Sequence, residues 1–457
     1  MGVPPPTGAT RLRELAERHL WMPYSPPGAQ GSVRDEIRVM THGQGVRTWD
    51  DEGREYLDGT SALEALILGH GDEEVVEAIA EQARTMSFVD VFRFVTPPQV
   101  ELAAELVAVS PGMAMAHFTP GGAEADEVAI KLARQYHALR GEPYRMKVIT
   151  REGAFHGVTA GAMALDGLYF ASRNVVYDGG LNWGRTVPAG ACPECDFGKA
   201  GRHLACVHAI EATIRAEGPE TVAAVVVDPC ATAIAVSVPP AGYLRQLREV
   251  CDRYGVLLVV DEIITGMGRT GKLFATEWDG IVPDFVTMSK ALSSGYVPIG
   301  ATLISPTVRD GFLEHEGVFL HGHTYAGHPV AAAAGLAVLR RVLRDDLAGR
   351  AAVLGERLLA GLRSLEHHRF YWDARGKGLL AGLEIVRDQD RGEDFADPLA
   401  AGNALRIAAR ERGLTTLLLH PGNVLFVAPA VVASEEQIDR MVAILDDALG
   451  DVERSLG

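Results

Sequence analysis

From residue 115 onward, short unbroken apolar runs alternate with longer segments whose apolar residues recur every three to four positions. The runs predict strands over 115–118 (MAHF), 147–150 (KVIT), 222–228 (VAAVVVD), 256–261 (VLLVVD), 284–289 (DFVTMS) and 301–305 (ATLIS), because strands buried on both faces read as continuous hydrophobic sequence. The recurrent segments predict amphipathic helices over 123–140 and 241–255. Strands and helices in alternation build an α/β fold whose largely parallel sheet is covered on both faces. Ligands of such sheets sit at the carboxyl ends of the strands, so chemistry is to be sought there.

Beyond residue 330 the pattern changes. An alanine-rich helix over 328–343 leads out of the sheet, and strand-like pieces over 376–386 and 422–432 stand beside helices over 398–413 and 435–456. These features predict a large ligand-binding domain over 61–330 and a smaller α+β domain over 331–457, with an N-terminal segment, 1–60, packed on the smaller one. There is no internal repeat and no low-complexity segment.

At 457 residues, 47% hydrophobic and 23% charged, the chain is globular and long enough for this division. A net charge of -17 argues against a nucleic-acid partner and leaves a cationic substrate open. No basic segment followed by an apolar one opens the chain, and no apolar run approaches the roughly 20 residues of a membrane span. The expectation is a cytoplasmic protein with no membrane partner. Five cysteines do not make a disulfide scaffold. Cys192, Cys195 and Cys206, with His203 and His208 nearby, could ligate zinc, yet no second Cys-x-x-Cys completes the pattern. The segment reads equally well as a loop with ordinary buried thiols, and no metal site is assigned.

Two charges stand out at the strand ends. Asp261 closes VLLVVD, where a carboxylate costs several kcal/mol unless paired. Lys290 follows DFVTMS by one residue and belongs to the same edge. An amine and a carboxylate there suit a cofactor with one carbonyl carbon for the amine and one ring nitrogen for the acid.

The stretch LLVVDEIITGMGRTGKLFATEWDGIVPDFVTMSKAL resembles the signature of the class III aminotransferases, pyridoxal-phosphate enzymes of fold type I, from their aspartate to their Schiff-base lysine. FTPGGAEADEVAIKLAR, GAFHG and HGHTYAGHP match further segments of that family in the same order, so the resemblance spans essentially the whole chain. It implies pyridoxal 5'-phosphate as cofactor, with Lys290 joined to it covalently and later moving a proton, and Asp261 on the ring nitrogen. It also implies Phe155 and Ile263 on the two ring faces, with His156 either beside the cofactor or a structural histidine. Gly121, Gly122 and Ala123 would meet the phosphate at a helix N-terminus. The acids just after them, Glu124, Asp126 and Glu127, conflict with a phosphate unless they point away. Thr324 would reach the phosphate from a neighbouring subunit, which implies a homodimer with shared active sites.

The chain also departs from the family. Two phosphate-binding hydroxyls are replaced by Gly121 and Ala123. The window where many relatives place an arginine for substrate carboxylates holds Leu417, Leu418, Leu419 and His420, while Asp228 takes the position of a glutamate that answers that arginine. Arg375 remains as a replacement clamp or as a packing residue. Glu64 stands where amine transaminases tend to place an aromatic residue, Asp90 adds a second acid near the entrance, and Trp21 with Tyr24 offers an aromatic wall. The resemblance implies a ping-pong aminotransferase acting on amine and carbonyl substrates, and these residues point to a cationic amino sugar or aminoglycoside intermediate of specialised metabolism as its substrate. The alternatives are an ω-amino acid, taurine or β-alanine type transaminase using pyruvate, and a pyridoxal-phosphate epimerase, isomerase or eliminase.

Overall fold

A computed structural model describes residues 8–24, 38–166, 183–188, 206–419 and 422–456. Strands β1 (Met40–Gln44), β2 (Arg47–Asp50) and β3 (Glu55–Asp58) form an antiparallel ladder near the N-terminus. The central sheet comprises β4 (Met115–Thr119), β5 (Lys147–Arg151), β6 (Gly184–Val187), β7 (Val222–Val227), β8 (Leu257–Asp261), β9 (Phe285–Met288) and β10 (Gly300–Ile304), in the order β4-β10-β9-β8-β7-β5-β6. From β9 to β6 every pairing is parallel, and β10 alone runs antiparallel to its neighbours β9 and β4. The predicted α/β fold with a mostly parallel sheet is therefore the one observed. All six predicted strands are present. β6 is an additional edge strand, half-exposed and without a continuous apolar run.

Alternating side chains of the central strands feed two different cores, as the pleat requires. Val225, Val227, Leu258 and Val260 pack on one face with Leu244, Leu247 and Val250 of the helix Tyr243–Tyr254. Ala224, Val226, Leu257 and Val259 pack on the other with Val128, Ala129 and Leu132 of the helix Gly122–Leu139. Sandwiched in this way, the sheet exposes chiefly its edges, and the carboxyl edge is the one that carries charge.

The C-terminal part holds β11 (Tyr371–Gly376), β12 (Ala381–Ile385), β13 (Leu414–Thr415), β14 (Leu417–Leu419) and β15 (Val424–Val427). β11, β12, β15 and β14 form an antiparallel sheet in that order. The single strand predicted over 376–386 is instead the end of β11, a turn and β12. Gly378 makes the turn with φ +56°, and a Cβ there would lie 2.5 Å from the Arg269 carbonyl oxygen, so only glycine fits. β13 pairs in parallel with β3, matching Leu414 to Leu57 and Thr415 to Asp58, which joins the two ends of the chain in one sheet. Among the described residues, no helix is long and apolar enough to cross a membrane.

Candidate active site

The sheet order sets the charges in a row. At the carboxyl ends of the neighbouring strands β9, β8, β7 and β5 stand Lys290, Asp261, Asp228 and Arg151. Asp261 is the last residue of β8 and is opposite Thr287 of β9; Lys290 lies two residues past the end of β9. A cavity of about 180 Å³ opens over this edge, lined by Gly122, Ala123, Phe155, His156, Asp228, Asp261, Ile263 and Lys290 among others. Eight residues singled out from the sequence thus share one cavity wall.

Asp261 is held from two sides. Oδ1 accepts from the Ile263 N–H at 2.9 Å, and Oδ2 lies 2.7 Å from His156 Nδ1. Burial acts to lower the His156 pKa, but the hydrogen bond to Asp261 and the charges of Asp261, Asp126 and Asp228 outweigh it and raise it to about 9. The ring is therefore an imidazolium at neutral pH, a positive charge behind Asp261. His156 consequently acts as the anchor of Asp261. Its backbone N–H donates to Asp166 Oδ1 at 2.6 Å, and burial pushes the Asp166 carboxyl up to about 7. Asp126 is fully buried, accepts from Thr287 Oγ1 at 2.7 Å, and is pushed up by burial and by the charge of Asp261.

Lys290 has a left-handed backbone, φ 41°. Its Nζ donates to Glu64 Oε2 at 2.6 Å, and Glu64 is only 5% exposed. Glu64 therefore does not face a substrate freely, as its sequence position suggested: its carboxylate is paired with the Lys290 amine. The backbone that brings it there is unusual. Ser61, Ala62, Leu63 and Glu64 have φ of 50°, 46°, 68° and 60°, a left-handed turn that costs about 1–2 kcal/mol per residue. Asp58 offsets part of the cost by accepting from the N–H groups of Thr60 (3.0 Å) and Ala62 (2.7 Å), and Ser61 Oγ donates to the Ala428 carbonyl.

Asp228 lines the cavity but is answered by Arg151, whose Nη2 lies 2.5 Å from its Oδ1, both side chains being buried. Arg151 was not singled out from the sequence. The signal was present in KVITR, a charged residue closing a buried strand. Arg375 is largely engaged in packing contacts: it pairs with Glu384 at 2.6 Å and Asp373 at 2.9 Å and donates to the Ala235 carbonyl at 2.6 Å, with Nη2 left without a partner. Leu417–Leu419 form β14, and His420 lies outside the described residues.

The helix Gly122–Leu139 starts beside the cavity, and no side chain caps its N-terminus. A Cβ on Gly122 would come 2.8 Å from Ile263 Cδ1, so a larger residue would close the gap between helix and cavity wall. Of the three acids that follow, Asp126 turns inward to Thr287, and Glu127 accepts from Thr159 Oγ1 at 2.5 Å and the Gly161 N–H at 3.1 Å. Glu124 does not turn away: its Oε2 would lie 2.9 Å from a Cβ on Gly121. The remaining expected site residues are not brought together in one chain. Thr324 is exposed, as are Trp21 (70%) and Tyr24 (64%), and none of the three lines the cavity. Asp90 lies outside it too, accepting from the Phe92 N–H at 3.0 Å and pairing with Arg93 at 3.6 Å. Cys206 is buried and caps its own helix through the His208 N–H at 3.3 Å; Cys192, Cys195 and His203 lie outside the described residues.

The residues present fit pyridoxal 5'-phosphate: an amine, a buried carboxylate with a cation behind it, two apolar side chains, and an uncapped helix N-terminus opened by Gly122. Comparison with known proteins agrees. Residues 30–449 match the family model of class-III aminotransferases. A probable aminotransferase of Mycobacterium tuberculosis is 38% identical over 458 residues, covering 99% of this chain and 97% of that one. A taurine–pyruvate aminotransferase of Bilophila wadsworthia is 33% identical over 440 residues, 92% of this chain and 94% of that one. The crystal structure of the omega transaminase of Pseudomonas jessenii in complex with PMP has a TM-score of 0.90 at 30% identity, covering 98% of this chain and 99% of that one.

Proposed function

The chain belongs to the class III aminotransferases, pyridoxal-phosphate-dependent enzymes, and from that footing we propose that it passes an amino group from a cationic amine to a carbonyl acceptor in two half-reactions. The amine in this reading is an amino sugar, an aminoglycoside intermediate or a molecule of similar charge. The bound cofactor supplies an aldehyde carbon that exchanges nitrogen and a protonated ring that withdraws electrons. The residues that would hold it are Lys290, covalently; Asp261, at the ring nitrogen; Phe155 and Ile263, on the ring faces; and Gly122 with Ala123, at the phosphate. Thr324 of a second subunit would complete the phosphate site, which makes the active form a homodimer.

The protein's own residues divide the work. His156 and the Ile263 N–H hold Asp261 in one orientation, so its charge needs no reorganisation during the reaction. Lys290 Nζ takes up and returns the proton of the reacting carbon. Apolar walls at Phe155 and Ile263 exclude water from that transfer.

The observation that carries the substrate reading is the Glu64 carboxylate, 2.6 Å from Lys290 Nζ. When Lys290 is covalently engaged, Glu64 loses its ammonium hydrogen bond and keeps only the more distant charge of the buried Arg269 guanidinium, so its carboxylate favours a new donor. A second ammonium or several hydroxyls on the substrate would answer it, whereas a substrate carboxylate would be repelled. The leucines of β14 offer no cation for a substrate carboxylate, and Arg375 is held by Glu384 and Asp373. A second reading, transfer from taurine or another ω-amino acid to pyruvate, is favoured by the similarity to the taurine–pyruvate aminotransferase.

Half-reaction kinetics with a panel of amino sugars, diamines, taurine and ω-amino acids decide between them. We expect kcat/KM to favour the dicationic amines, and Glu64→Gln to reduce that preference by about tenfold, equivalent to ~1.4 kcal/mol. Faster turnover of taurine with pyruvate than of any cationic amine, unchanged by Glu64→Gln, would establish the second reading instead.

A further inference from the structure

Outside the cavity, two histidines meet the C-terminal helix in an arrangement that the transamination chemistry does not use. His367 ends the short turn Ser364–His367, His368 follows it, and both face the helix Glu435–Leu456. Their rings are 4.3 Å apart, tilted by 37°. Both direct Nε2 to the same oxygen of Asp446, at 3.3 Å from His367 and 2.7 Å from His368.

The far side of each ring is also occupied. His367 Nδ1 lies 3.0 Å from the Ser364 carbonyl oxygen, and His368 Nδ1 lies 3.1 Å from Glu453 Oε2. Glu453 is itself fixed, its other oxygen accepting from the Phe370 N–H at 3.0 Å. An imidazole whose Nδ1–H is directed to an acceptor carries its lone pair on Nε2. Without an ion, the 2.7 Å contact between His368 Nε2 and Asp446 is a hydrogen bond; with the ring protons on Nδ1 instead, the two Nε2 atoms and the carboxylate oxygen, all within 4.8 Å of one another, face a common point that a cation can occupy. Among the described residues, no lysine or arginine is paired with Asp446 to play that part.

We propose that His367, His368 and Asp446 form a site for a divalent transition-metal ion of the zinc class, with water in the remaining position. Two imidazoles and one carboxylate suit Zn²⁺, Co²⁺ or Ni²⁺ and not Mg²⁺ or Ca²⁺, which take oxygen ligands. Ser364 and Glu453 are the outer acceptors that orient imidazole ligands in such sites. His368 is buried, whereas His367 and Asp446 are open to solvent, so an ion has a way in without any opening of the fold. Because the ligands come from segments about 80 residues apart, the bound ion ties the turn before β11 to the C-terminal helix and stabilises the folded chain by linkage.

The test is Co²⁺ titration of tag-free, cofactor-loaded protein, freed of excess cofactor. One equivalent should bind with the visible ligand-field bands of a low-coordinate nitrogen–oxygen site. Zn²⁺ should displace it, Mg²⁺ should not, and the melting temperature should rise in a way that chelator reverses. His367→Ala, at an exposed position, should remove this uptake and leave transaminase turnover unchanged. Glu453→Gln, which touches no ion, should weaken affinity by about 10–100-fold. Absence of saturable Co²⁺ uptake, or uptake indifferent to both His367→Ala and Asp446→Asn, would overturn the site and leave the rings and carboxylate sharing protons alone.

Discussion

His156 and Asp166 were drawn into one network by burial, and their protonation gives the fold a pH signature. In the folded protein His156 has a pKa of about 9, against an ordinary value of 6.5. A raised folded pKa means that the folded state binds the proton more tightly, so its stabilisation is complete below about pH 6.5 and is lost as pH rises through 9. Asp166, raised from 3.8 to about 7, has the same sign in a lower window. The melting temperature of the cofactor-free protein should therefore fall from pH 6.5 to 9, and His156→Asn should flatten the upper part of that interval while moving the Asp166 contribution to higher pH, since the His156 charge lowers the Asp166 pKa. Differential scanning calorimetry across the range checks both. Lys290 and Asp261 were legible in the sequence because each closes an apolar run, where a charge is conspicuous. Asp126 and Asp166 were not, since an acid in the first turn of a helix or in a loop is ordinary until the fold buries it.

Among the elements, the central strands were the easiest to read and the connections the hardest. β7 is buried at every residue and reads as VAAVVV; β6, at the edge, offers only GRTV. The turn Ser61–Glu64 carries no glycine or asparagine to announce four left-handed residues, so the partnership of Glu64 with Lys290 could not be found from the sequence. Strand ends also hold each other. Arg151 of β5 and Asp228 beyond β7 form a buried pair, and losing one partner leaves the other as an uncompensated charge. Arg151→Met should destabilise the protein by about 3–5 kcal/mol in denaturant unfolding, and the added Asp228→Leu should recover most of the loss.

For the molecule as a whole, the phosphate site we propose is incomplete in a single chain, because Thr324 lies outside the cavity. Thr324 is exposed on a loop with Leu320 (91%), and Phe92 (67%) lies against Gly322 of the same loop, an apolar face of the kind that a second subunit covers. Light scattering should give twice the chain mass of 48.9 kDa. Mixing Lys290→Ala with Thr324→Ala protein, followed by subunit exchange, should restore activity above that of either variant alone, because one site of each mixed dimer receives both residues. Recovery no greater than the average of the two parents would place Thr324 outside the shared site.

The bonds between Ala428, just after β15, and the segment that follows β3 have a consequence for how the enzyme is made. Glu64 sits on a turn held by the Ala428 carbonyl, and the Gly59 carbonyl accepts from the Ala428 N–H at 2.6 Å. The turn precedes the whole central sheet in the chain, yet its anchor is synthesised 367 residues later, after that sheet. A nascent chain stalled before residue 428 can assemble the sheet that carries Asp261 and Lys290 while lacking the strut that sets Glu64 against the lysine. Completion of the active site is thus a late event of translation, and truncations near the C-terminus should be silent in the sheet and visible at Lys290.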